Sequence, residues 1–121
     1  VFSNKNGSIG GSTSALDLEM ALSRAGGDPE LLHEIAVLFI DDYPKALQDL
    51  RNAIQTGDIR LLERSAHGLK GSVANFGAQQ AVSAAQALEM MARNREIEGA
   101  EEVIRSLELA LAALSVELQQ L

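Results

Sequence analysis

Cysteine and tryptophan are both missing from this chain of 121 residues. With no thiol, disulfide frameworks and thiolate chemistry are excluded, which suits the cytosol. Aromatic residues are only 3% of the sequence against 46% hydrophobic residues overall, so the core must be built mainly from aliphatic side chains. Alanine and leucine dominate and β-branched runs are scarce, which favours helices over strands. No uninterrupted apolar run is longer than IAVLFI at 35–40, far too short to span a bilayer. No signal peptide is visible. Basic residues are outnumbered, 10 against 17 acidic ones, for a formal net charge of −7. That balance argues against nucleic acid and anionic membrane surfaces as partners. What is left is enough chain for one domain that buries its own core without disulfides or metal.

Along the chain, residues 1–13 (VFSNKNGSIGGST) are rich in Gly, Ser and Asn and lack any period. They are expected to be a flexible linker tethering the domain to a larger protein. The rest, 14–121, has helical periodicity. LDLEMALSRAGG gives a short first helix closed by Gly26 and Gly27. Asp28 then caps a second helix with Pro29 at its first position. Its apolar stripe comprises Leu31, Leu32, Ile35, Ala36, Phe39, Tyr43, Ala46, Leu47, Leu50 and Ile54. Pro44 is expected to kink or break this helix near Asp42. Gly57 ends it and Asp58 starts a third helix; 78–93 and 97–120 supply two more. Short connections between long amphipathic helices imply antiparallel neighbours. The expected fold is all-α, an antiparallel four-helix bundle with an additional short N-terminal helix.

The third helix contains SAHGLKGSVANFGA at 65–78, with glycine at 68, 71 and 77. Glycine costs about 1 kcal/mol per interior helical position relative to alanine, so this density suggests a close approach. At about 100° per residue, Leu62, Ser65, Ala66, Leu69, Val73 and Phe76 form the core stripe. His67 lies nearly opposite Leu69 and should project outward, with Arg60, Glu63, Arg64, Lys70, Gly71, Ala74 and Ala78 around it. An imidazole that is neutral near pH 7 is nucleophilic and can carry a phosphoryl group on nitrogen. Lys70, one turn away, can neutralise phosphate oxygens. Such a transfer needs positioning and charge stabilisation more than acid–base chemistry. No carboxylate cluster for magnesium is evident nearby, so any metal is expected on the partner. There is no glycine-rich nucleotide loop, and no autonomous ATP-dependent kinase activity is expected.

His67-Gly68-Leu69-Lys70-Gly71-Ser72, followed by Phe76-Gly77-Ala78, resembles the motif of histidine phosphotransfer (HPt) domains of bacterial phosphorelays. DPELLHEIAVLFIDDYPKALQDLRNAIQTGD before it and AQALEMMAR after it extend the resemblance over about residues 15–120. The resemblance implies that His67 is the phosphoacceptor, with Lys70 and Gly71 flanking the site. In the related domain of chemotaxis kinases a glutamate on the following helix holds the other imidazole nitrogen, and Glu89 sits at the matching position. Glu89 is therefore either an orienting carboxylate or a solvated charge. Docking is expected on the outer face of the third helix, over Arg64, Gly68, Gly71 and Ala74. The partners implied are receiver domains of response regulators, with magnesium on the receiver and no cofactor on this chain.

Other residues have plainer explanations. His33 lies at a helix edge without supporting groups, Met90 and Met91 fit core or helix-edge positions, and Gly77 fits a bend. Asp41 and Asp42 lack a third ligand and fit solvated positions. The expected function is a phosphorelay intermediate, taking a phosphoryl group from one receiver aspartate and passing it to another. It would act in the cytoplasm as a monomeric domain, with the linker favouring a module of a hybrid sensor kinase. Two alternatives are the N-terminal domain of a chemotaxis-type kinase and a helical interaction module that never bears phosphate. A phosphohistidine phosphatase is disfavoured, because no second acid–base residue accompanies His67.

Overall fold

The computed structural model describes residues 14–121; the expected linker at 1–13 lies outside the described residues. Five helices follow in order: α1 Leu18–Arg24, α2 Pro29–Thr56, α3 Ile59–Ala74, α4 Gln79–Asn94 and α5 Ala100–Leu118. Three begin on aspartate caps. Asp17, Asp28 and Asp58 each accept from a backbone N–H of the following turn, satisfying donors that a helix start leaves open. Gly57 ends α2 in the left-handed region, φ 72°, a conformation that costs glycine no steric penalty. The final helix starts later than its periodicity suggests, at Ala100 rather than Ile97, because Gly99 turns left-handed just before it.

Each long helix packs on two others: α2 on α3 and α5, and α4 on the same pair. The result is the expected antiparallel ring of four helices, with α1 lying across α2. Leucine and alanine fill the centre, including Leu50, Leu62, Leu88, Leu107, Leu111 and Leu114. Phe76 is the largest fully buried side chain and meets Phe39 edge-on with ring centroids 5.3 Å apart. Phe39 in turn stacks on Tyr43 at 5.4 Å.

Pro44 does not break α2. The helix runs unbroken from Pro29 to Thr56 with Pro44 inside it. Proline forfeits one i→i−4 hydrogen bond, but buried Phe39 lies before it and Leu47, Leu50 and Ala53 after it. Continuous core packing on both sides outweighs the lost bond. The expected stripes are less uniformly buried than their period implies: Leu31 is exposed, and Ile35, Tyr43, Ala46, Ile54 and Ser65 are only half-buried.

Residues 14–17, ahead of α1, are held both by α5 and by the turn between α3 and α4. Glu117 on α5 accepts from the Ser14 hydroxyl and the Ala15 and Leu16 amides at 2.7–3.1 Å. Burial pushes the Glu117 pKa up, but these three hydrogen bonds prevail and hold it below its ordinary value. The Asp17 amide then donates to the Phe76 carbonyl at the turn between α3 and α4. Gly77, φ 61°, makes room there: a Cβ would sit 2.5 Å from that of Asp17. The expected bend at Gly77 is thus also a close-packing position.

Candidate functional site

The closest helix pair in the bundle is α3 with α4, and His67 lies on the outer side of that seam. Its core-side neighbours Leu62, Ala66, Leu69 and Val73 are all buried. Helical geometry therefore sends the His67 side chain outward, where 65% of it is exposed. One turn further along, Lys70 reaches back to α4.

Glu89 organises the seam. It is 1% exposed, so it is not a solvated charge. Its Oε2 lies 2.7 Å from His67 Nδ1, and its Oε1 accepts from Lys70 Nζ at 2.6 Å. Arg93, one turn along α4, donates through Nη2 to the same Oε2 at 2.8 Å. The Arg93 Nε donates to Glu63 Oε2 on α3, also at 2.8 Å. Four side chains thus meet a buried carboxylate or its clamp.

The Lys70 hydrogen bond dominates the Glu89 environment and lowers its pKa. Burial opposes this, while the His67 hydrogen bond and the charges of Arg93 and Lys70 reinforce it. The carboxyl titrates below its ordinary value, so it is ionised at neutral pH and can only accept. His67 Nδ1 must then donate. In neutral imidazole this fixes the tautomer and leaves the lone pair on Nε2, across the ring.

Lys70 is not free above the ring, as a phosphate-stabilising lysine would be expected to be; in the unphosphorylated domain it is committed to Glu89. Gly68 and Gly71 show the converse. A Cβ at either would meet nothing among the described residues within 4 Å, so packing within this fold does not explain their presence. They leave the helix surface bare on one flank of His67, at the next position and one turn on. The Ser72 hydroxyl donates back to the Gly68 carbonyl at 3.2 Å, occupying that carbonyl within the helix.

Two surfaces flank His67. On one side a groove of about 410 Å³ runs between α2 and α3, with Leu38, Phe39, Tyr43, Arg64, Gly68 and Ser72 among its walls. On the other, Arg60, Glu63, Arg64, His67, Glu89 and Arg93 line a shallow polar concavity. Arg64 and Gly68 border the groove, whereas Ala74 is half-buried and Ala78 lies in the core past the helix end. Met90 is exposed, Met91 packs against the core, and His33 is exposed. Asp41 is solvated as expected, while Asp42 is exposed on the rim of the groove.

Sequence reasoning did not single out Arg93. Its i,i+4 spacing from Glu89 was a usable signal, but its second partner, Glu63, lies on another helix. The α2 wall was missed for a related reason. Tyr43 and Ala46 carry core periodicity and yet are half-buried at the groove.

A family model described as "Hpt domain" matches residues 34–117, a stretch that includes Glu63, His67, Lys70, Glu89 and Arg93. The chain is also similar to the crystal structure of histidine-containing phosphotransfer protein B (HptB) from Pseudomonas aeruginosa PAO1. The TM-score is 0.82 at 27% sequence identity, with 89% of this chain and 94% of that chain covered. Comparison with curated protein sequences gave no match.

Proposed function

The chain belongs to the Hpt family as a histidine phosphotransfer intermediate of phosphorelays, and from that premise we propose that His67 is its phosphoacceptor. The observation that carries this assignment is the Nδ1 hydrogen bond to buried Glu89, which directs the lone pair of the neutral ring to Nε2. That lone pair attacks the phosphorus of an aspartyl phosphate on a receiver domain. The P–O bond to the aspartate breaks and its electron pair stays on the donor carboxylate. The Nδ1 proton remains on the ring, and the positive charge that develops there faces Glu89. Attack by the aspartate of a second receiver reverses the sequence.

Receiver domains are the partner kind. We place their docking on the outer face of α3, with Gly68 and Gly71 giving access to the ring and Arg64 at the rim. The groove between α2 and α3 extends that surface and supplies apolar contact. Magnesium assisting the step is assigned to the receiver; among the described residues no group of three or more His, Asp or Glu side chains is gathered for a metal. The domain takes its phosphoryl group from a protein and not from ATP, acting in the cytoplasm as a monomeric unit, either alone or within a hybrid sensor kinase. No helix among the described residues is long and apolar enough to cross a membrane.

His67→Gln tests the assignment. Incubation with a radiolabelled phosphorylated receiver should leave acid-labile, base-stable label on the wild type and none on the variant. Helical circular dichroism should be equal in both, because His67 is not part of the core. Undiminished labelling of the variant would overturn the assignment. The Glu89–His67 bond also favours a second reading, in which the donor is the nucleotide-binding domain of a chemotaxis-type kinase. Transfer from a phosphorylated receiver in the absence of ATP separates the two.

A further inference from the structure

Two cations are in hydrogen-bond contact with Glu89, and Arg93 also pairs with Glu63, so the resting cluster balances two cations against two carboxylates. Lys70 Nζ touches Glu89 Oε1 and Arg93 Nη2 touches Oε2. When the His67 lone pair bonds to phosphorus the ring itself becomes cationic, so three positive groups would face the two carboxylates Glu89 and Glu63. The incoming phosphoryl group meanwhile brings negative oxygens to the Nε2 side. One cation is therefore in excess at Glu89 just as one is needed at the phosphoryl group.

The geometry distinguishes the two cations. Arg93 is pinned by two carboxylates on two helices, through Nε to Glu63 and through Nη2 to Glu89. Its planar fork makes that bridge a fixed one. Lys70 has a single carboxylate partner and a flexible stem of single bonds. It lies one turn from His67, within reach of groups bound to the ring.

We propose that Arg93 is a positioning residue for phosphotransfer: anchored by Glu63, it keeps Glu89 in place against His67 Nδ1 while Lys70 leaves the carboxylate for the phosphoryl oxygens. This rests on the assignment of His67 as phosphoacceptor. Arg93 does not touch the reacting atoms; it acts through Glu89. An ordinary surface ion pair is the plain alternative, and exposed pairs contribute little. What sets Arg93 apart is that it shares one oxygen of a buried carboxylate with the imidazole.

The test uses the whole domain, with phosphoramidate as donor so that no receiver interface intervenes. Arg93→Gln removes the bridge, Arg93→Lys restores one positive charge without the fork, and Glu63→Gln weakens the anchor alone. Nitrogen-15 NMR of His67 should show a mixture of ring tautomers in Arg93→Gln and Glu63→Gln, where the wild type shows Nδ1–H. Phosphorylation should slow by about tenfold in Arg93→Gln, within the hundredfold that a misplacement of about 1 Å can cost. Arg93→Lys should recover only part of it. Lys70→Met should shorten the phosphohistidine lifetime while leaving the tautomer as in the wild type. If Arg93→Gln keeps both the wild-type tautomer and rate, Arg93 is a surface residue and the proposal fails. Should the wild type itself gain no label at His67, the failure is instead that of the phosphoacceptor assignment.

Discussion

Glu89 serves His67, Lys70 and Arg93 with two oxygens, and its ionisation underlies the rest of the site. Its folded-state pKa is depressed below the ordinary value of 4.5, first by the Lys70 hydrogen bond. A depressed carboxyl contributes stability that is present above the unfolded-state value and lost as pH falls through the folded-state one. Glu117, also depressed, adds to the same trend. Thermal stability should therefore fall on acidification below about pH 4.5. Glu89→Gln should cost about 1.5–3 kcal/mol at neutral pH, the scale of a hydrogen bond to a charged group. The gap to wild type should then narrow as the pH drops. Melting curves of both proteins over the acid range measure it, and a gap that stays constant with pH would show that the charge of Glu89 is not what stabilises the site. His67 and Lys70 were legible in the sequence because motif and helical face coincide. The buried state of Glu89 was not, since a carboxylate at that spacing fits solvent equally well until its cations are placed.

At the scale of elements, the caps and the left-handed glycine of α2 were legible because they depend on local chemistry alone. Pro44 misled for the opposite reason. Its local penalty is fixed, whereas the packing of Phe39, Leu47 and Leu50 that carries the helix past it is tertiary. The groove was hidden likewise, because half-buried groove positions on α2 share the period of the core. The glycines of the motif illustrate two uses of one residue type. Gly77 has a positive φ and would place a Cβ against Asp17, while a Cβ at Gly71 meets nothing among the described residues. Gly77→Ala should therefore destabilise the domain by about 2 kcal/mol or more, from the left-handed backbone alone at about 1–2 kcal/mol plus displacement of the α1 entry. Gly71→Ala should stabilise it by up to about 1 kcal/mol through helix propensity. Urea unfolding of the two variants decides the matter; equal effects would mean that the tight contact between Gly77 and Asp17 is not maintained in solution.

Across the whole molecule, charge and shape are divided around His67. The chain is acidic overall, at −7, yet Arg60, Arg64 and Arg93 border the concavity beside the imidazole. A phosphorylated aspartate on an approaching receiver is negative, so these groups should steer it to this basic rim of an acidic domain. Steering acts on the association rate and is screened by salt. The groove should act differently. Leu38, 62% exposed on its wall, has apolar surface to lose to a partner, and burial of such a side chain contributes about 1.5–3 kcal/mol, felt mainly in dissociation. Reversing charge at Arg60 and Arg64 together should slow association by about tenfold at low ionic strength, and the deficit should vanish near 1 M salt, where the Debye length is about 3 Å. Leu38→Ala should leave association and its salt dependence unchanged while speeding dissociation by about tenfold. Because Leu38 is exposed, the fold should not suffer. Stopped-flow association and dissociation against a receiver that accepts the phosphoryl group measure both quantities. Unchanged dissociation in Leu38→Ala would remove the α2 groove from the docking surface. The partner would then be confined to the bare ridge of α3 between Gly68 and Gly71, and the charge reversal alone would still report how it is steered there.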